Sequence, residues 1–150
     1  MCHSNKLGYE ADGNCRSCVV EIKGERALAA SCIRKPSNGM EVITNNDKVE
    51  KSQKLVLELL LSDQPEKEKS HNQKSHFWEI LQTNQISKTR FPKKDSKIVP
   101  SLDNSHPAMT VALDACIQCG LCIRACRDVQ VNDVLGMSGR GTNSYPVFDF

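Results

Sequence analysis

The chain changes rhythm several times. Val19, Val20 and Ile22 make a short β-branched run, and Ala27 to Ser31 follows across Lys23-Gly24-Glu25. Two such runs flanking turn residues predict a hairpin. Upstream, Gly8, Gly13 and Asn14 mark a turn-rich loop. A helix is predicted from about Asp47 to Leu61, with Thr44 and Asp47 spaced like a capping box. The longest apolar run, Leu55 to Leu61, lies inside it and is interrupted by Glu58. A boundary follows at Ser62-Asp63-Gln64-Pro65. From Asp63 to His106 the sequence is rich in Lys, Ser, Asn and Gln, with one apolar knot at Phe77-Trp78-Glu79-Ile80-Leu81. That knot predicts a short amphipathic helix packed on a neighbour, with Trp78 as a packing residue rather than an electron relay. Lys93-Lys94 and the scattered lysines read as a solvated face or linker, with a docking patch for an acidic partner as the alternative. Near the end, strands around Val134 and over Tyr145 to Phe150 flank Gly136-Met-Ser-Gly139-Arg-Gly141. This loop matches neither phosphate-binding glycine pattern, so a tight inter-strand turn is its better account.

Composition narrows the field. The 150 residues suit one ordinary domain or two small metal-stapled ones. Only 5% are aromatic, which argues against a large self-sufficient core. Twenty basic and eighteen acidic residues leave a net charge of +2, too balanced to indicate a nucleic-acid partner. Leu55 to Leu61 is far too short to span a bilayer. No charged segment followed by an apolar one opens the chain, so no secretory signal is visible and a cytoplasmic setting is expected. No Ser-His-Asp grouping or pair of carboxylates stands out, and no catalytic residue is assigned.

Eight cysteines carry the chemistry: 2, 15, 18 and 32, then 116, 119, 122 and 126. Four plus four, with none between, points to two local sites rather than a disulfide scaffold. The second group, Cys116-x2-Cys119-x2-Cys122-x3-Cys126, has the bacterial-type [4Fe–4S] spacing. Thiolates two residues apart can wrap one cube face, and small Gly120 lets the backbone approach. Cys126 lies further along, into a short helix; in two-cluster ferredoxins its counterpart ligates the other cube. The Pro that usually follows is Arg127 here. The first group, Cys2-x12-Cys15-x2-Cys18-x13-Cys32, has the close pair and distant fourth cysteine of a plant-type [2Fe–2S] site, but a longer first interval. A zinc knuckle is the alternative for it.

Cys15-Arg-Ser-Cys18-Val-Val-Glu-Ile-Lys-Gly and Ser31-Cys32 resemble the N-terminal [2Fe–2S] domain of the NADH dehydrogenase large iron–sulfur subunit. Iron-only hydrogenases and the alpha subunit of NAD-dependent formate dehydrogenases share it. Asp114-Ala-Cys116-Ile-Gln-Cys119-Gly-Leu-Cys122-Ile-Arg-Ala-Cys126-Arg-Asp-Val-Gln, with Asn132-Asp133-Val134, most resembles the formate dehydrogenase alpha subunit. The resemblance implies an α+β fold in three parts. Residues 1–45 would be a partial β-grasp [2Fe–2S] ferredoxin domain, 46–106 a helix and polar linker, and 107–150 half of a bacterial-type [4Fe–4S] ferredoxin domain. These families often carry a one-His-three-Cys site after the helix. Its four positions fall here on Gln64, Glu68, His71 and Phe77, so no cluster is expected there; His71 and His76 read as solvated.

The resemblance further implies a fragment of a longer subunit, whose remainder would bind molybdopterin or tungstopterin and oxidise formate. Electrons would pass between that remainder and a partner subunit binding NAD(H) or flavin. A hydrogenase or NADH dehydrogenase parent is the alternative, and a zinc-binding interaction module the more distant one.

Overall fold

The computed structural model describes residues 1–6, 8–93 and 102–148. Lys94 and the last two residues of the expected final strand, Asp149 and Phe150, lie outside these. The described residues form an α+β arrangement of three small antiparallel sheets and three α-helices, with short 3-10 and π turns between them.

The first sheet has the order β2-β1-β3, built from β1 (Val19–Ile22), β2 (Ala29–Ala30) and β3 (Val42–Ile43). The expected hairpin is β1 with β2: Val19 pairs Ala30, Val20 pairs Ala29, and the Glu25 amide closes the turn on the Ile22 carbonyl at 3.0 Å. Val19, Val20, Ile22 and Ala30 are buried. β3, a two-residue strand with both side chains exposed, pairs with the other edge of β1. Its burial pattern offers no alternation by which a sequence reading could have found it.

Helix α1 (Asp47–Ser62) crosses β1. Its N-cap is Asn46, whose side-chain oxygen accepts from the Val49 amide at 2.9 Å; this corrects the capping box expected from Thr44. The Asn46 amide nitrogen donates to Glu21 at 2.6 Å, Lys48 reaches the same carboxylate at 2.9 Å, and Gln53 donates to the Val19 carbonyl at 3.0 Å. Three contacts thus clamp the helix onto the strand.

The apolar knot forms α2 (His76–Thr83), and its face meets α1 in the main core of Leu57, Phe77, Trp78 and Leu81. Phe77 and Trp78 stack edge-on with centroids 5.3 Å apart, and the Trp78 indole donates to Ser70 at 3.3 Å. Met1 and Ile117 pack against this same core, so both cysteine regions rest on it. Glu58, the interruption in the apolar run, accepts two hydrogen bonds from Arg90 at 2.6 and 2.9 Å. That fork ties the polar segment back onto α1 and holds the Glu58 carboxyl below its ordinary range.

β4 (Asp103–His106) and β5 (Met109–Val111) form a hairpin whose turn contains the domain boundary expected at 106/107. Helix α3 (Leu121–Arg124) runs into a wider π-helical turn, Ala125–Val129. The last sheet pairs β6 (Leu135–Ser138) with β7 (Tyr145–Phe148), from Leu135 opposite Phe148 to Ser138 opposite Tyr145. Between them Gly139 has φ +73°, and a Cβ there would lie 2.2 Å from the Asn143 carbonyl oxygen. Only glycine fits. No helix among the described residues is long and apolar enough to cross a membrane.

Candidate metal centres

None of the eight cysteines is in a disulfide. Cys2, Cys15, Cys18 and Cys32 line one cavity of about 390 Å³. β1 begins directly after Cys18, and Cys32 follows β2, so the hairpin sets two of the sulfurs side by side. Cys2 and Cys15 come together through reciprocal bonds: the Cys2 amide donates to the Cys15 sulfur at 3.5 Å, and the Cys15 amide to the Cys2 sulfur at 3.4 Å. Cys18 in turn accepts from the Cys32 amide and thiol. The four sulfurs therefore fall into two pairs. Among the described residues no three Cys, His, Asp or Glu side chains converge as they would around a single ion. Two pairs around a shared cavity match the donor set of a dinuclear cluster, which takes two thiolates at each iron.

The thiols differ in acidity. Burial pushes Cys15 up, but the Ser17 hydroxyl and the Cys2 and Ser17 amides outweigh it and bring the thiol down to about 6. Its sulfur lies 3.2 Å from the Ser17 oxygen. Burial likewise raises Cys18, and the Cys32 amide and Ser31 hydroxyl overcome it to leave a lowered value. Cys32 is raised, by burial and by its bond to Cys18. Thiolate is the ligating form, so the loop already favours charge at two of its four positions.

Cys116, Cys119 and Cys122 line a turn in which Gln118 and Gly120 both adopt positive φ, 53° and 68°. The turn is anchored by the Gln118 side chain, which donates to the Ser144 carbonyl at 2.7 Å at the start of β7. The Cys116 sulfur accepts from the Gln118 amide at 3.4 Å, and the buried Cys126 sulfur from the Val134 amide at 3.3 Å. Burial raises Cys122.

Two residues to which the sequence assigned no part in the site adjoin it. Gln64, at the position where the resemblance places histidine, is buried and donates to the Cys116 carbonyl at 3.3 Å. Arg124 is 7% exposed and spans both cysteine groups. One terminal nitrogen donates to the Glu10 carbonyl at 2.7 Å; the other donates to the Cys2 carbonyl and, at 3.2 Å, to the Cys119 carbonyl. Its Nε is buried without a partner, and a Cβ on Gly120 would come within 3.9 Å of it. An orphaned donor beside a loop with three cysteines, where glycine leaves room, fits an acceptor such as a bridging sulfide. The signal for Arg124 was present: one cation in the otherwise apolar Leu121-Cys-Ile-Arg-Ala stretch.

Of the other positions of the one-His-three-Cys pattern, Glu68 and His71 are exposed and Phe77 is in the main core. His76 is exposed, with its Nδ1 3.6 Å from Glu79. Lys93 lies 3.7 Å from Glu66 on an exposed face.

Residues 1–47 match the 2Fe-2S iron-sulfur cluster binding domain family. The chain is 29% identical, over 95% of its length, to the mitochondrial NADH-ubiquinone oxidoreductase 78 kDa subunit of Candida albicans. It is 31% identical over 86% of its length to a subunit of the NADH-quinone oxidoreductase of Rickettsia typhi, and 36% identical over 85% to a subunit of the NADP-reducing hydrogenase of Solidesulfovibrio fructosivorans. It spans only 20%, 19% and 22% of these relatives respectively. Among solved structures, a chain of the NAD+-reducing [NiFe]-hydrogenase in its H2-reduced state aligns over 99% of this chain and 61% of its own, with TM-score 0.82 and 26% identity.

Proposed function

We propose, from the match of residues 1–47 to a 2Fe-2S cluster binding domain, that this chain is the electron-relay portion of a larger subunit in an NAD-linked oxidoreductase. Cys2, Cys15, Cys18 and Cys32 hold a [2Fe–2S] cluster, one pair of thiolates to each iron. Cys116, Cys119, Cys122 and Cys126 serve [4Fe–4S] chemistry, with Cys126 free to ligate a second cube should the parent subunit supply one. Such clusters accept and release single electrons. The chain's own part is to hold the thiolates, donate amide hydrogen bonds to their sulfurs and keep water from the buried Cys2 and Cys126.

The contact that supports a relay between the two groups is Arg124, which hydrogen-bonds the backbone of Cys2 and of Cys119, so the groups are neighbours despite their separation in sequence. Neighbouring redox sites pass electrons to one another.

The partners are the remainder of the parent subunit and a subunit binding NAD(H) or flavin, in the cytoplasm. The residues from Asp114 to Val134 favour a formate dehydrogenase parent, whose molybdopterin or tungstopterin would bind outside these 150 residues. The named relatives act on NADH or hydrogen instead, so reduction of the clusters by formate, NADH or hydrogen in the intact assembly selects among the parents.

The relay itself is tested on anaerobically purified full chain, by iron and acid-labile sulfide analysis with EPR after dithionite reduction. About six of each per chain, with both cluster signals, is the expected result. Stoichiometric zinc without sulfide, persisting after cluster reconstitution, would refute it.

A further inference from the structure

We propose that Arg124 is a cation shared by the two cluster sites, a positioning residue that fixes their separation and raises the reduction potential of both. This rests on the two-cluster reading above. Arg124 is 7% exposed, yet among the described residues no carboxylate pairs with it directly; its charge reaches Asp128, whose own hydrogen bonds come from Arg127. The hydrogen bonds of Arg124 all go to neutral carbonyls, those of Cys2, Glu10 and Cys119, and its Nε has none. A buried arginine with no counter-ion in contact is costly, because desolvation of the charge is not repaid by carbonyl dipoles and one distant carboxylate alone. Clusters held by thiolates supply what is missing. Each carries net negative charge, one would lie on the Cys2 side of the guanidinium and one on the Cys119 side, and the free Nε–H faces the Gly120 loop.

The placement has two consequences. The same terminal nitrogen bonds both carbonyls, so a continuous path runs from the Cys2 sulfur through its backbone, across the guanidinium and down to the Cys119 sulfur. Reduction adds one electron, hence one negative charge, to either cluster. A fixed positive charge in a low-dielectric setting favours the reduced state on both sides. Lysine could keep the charge but could not reproduce a fork serving three carbonyls at once.

The test uses the full chain with the subunits that accompany it, in wild-type, R124M and R124K forms. Iron and sulfide are counted first, and each cluster's midpoint potential is then read by EPR-monitored redox titration. In R124M both potentials should fall by at least a tenfold change in the reduction equilibrium, about 59 mV for one electron. R124K should return both towards wild type. A potential unchanged in R124M at either cluster, or a failure of R124K to restore them, would overturn the shared-cation assignment. Should R124M not load both clusters, R124Q takes its place, a neutral side chain that still carries a donor: a tenfold fall at both clusters supports the assignment, and wild-type potentials overturn it. A wild-type chain lacking the second cluster would instead sink the functional reading itself.

Discussion

Leu57 and Leu59 lie two residues apart on α1, and truncating each should give opposite results. Leu57 is 2% exposed and meets Phe77, Trp78 and Leu81; Leu59 is 53% exposed. Leu57→Ala removes three carbons from water-free surroundings, about 2.4 kcal/mol at roughly 0.8 per carbon. The aromatic pair on α2 cannot close fully over the void, so a residual cavity brings the cost to about 3 kcal/mol. In a chain of this length that lowers Tm by about 6–12 °C. Leu59→Ala leaves the core intact, and alanine is at least as good a helix former, so its effect should stay within about 0.5 kcal/mol. Urea midpoints and thermal transitions of the two variants, compared at equal cluster occupancy, provide the assay. Because Met1 and Ile117 rest on the same core, Leu57→Ala should also broaden the EPR signals of both proposed clusters. A Leu57→Ala cost below about 1 kcal/mol, or equal costs for the two variants, would refute the placement of the core between α1 and α2.

Three further outcomes follow from particular contacts. Gly139→Ala drives a Cβ against the Asn143 carbonyl at a left-handed position; a loss on the order of 2–3 kcal/mol is expected. On the two-cluster proposal, it should weaken the [4Fe–4S] signal more than the [2Fe–2S] signal in EPR, through the Gln118–Ser144 anchor. Asn46→Ala removes the α1 cap and should cost about 1 kcal/mol in denaturant unfolding, whereas exposed Asn45→Ala should be silent. In metal-free chain, Cys15 should be alkylated by iodoacetamide with a midpoint near pH 6, and Ser17→Ala should move that midpoint upward, as read by mass spectrometry. The folded thiol lies below its ordinary value of 9.0, so its contribution to stability is full above pH 9 and is lost as pH falls towards 6. Metal-free unfolding midpoints that fell as pH rose through that window would contradict the lowered value.

Local signals were legible from the residues alone. The β1–β2 hairpin, α1 and α2 form where hydrophobic rhythm and turn residues placed them, because short-range pattern carries that information. The cysteine spacing likewise pointed to two separate groups, and residues 1–47 match a 2Fe-2S binding domain. Other features depended on partners remote in sequence. β3 has no amphipathic pattern and exists because the free edge of β1 offers it backbone bonds. Asn46, rather than Thr44, caps α1, and Glu21 lies within reach of its other side-chain atom. Glu58 reads as a flaw in an apolar run until Arg90 is seen to bond it. Residue identity and local periodicity thus determined the elements and the candidate ligands. Only the tertiary structure could decide that Cys2 and Cys119 share one guanidinium, because a buried charge is solvated by whichever carbonyls the packed chain brings to it, and sequence distance carries no record of that meeting.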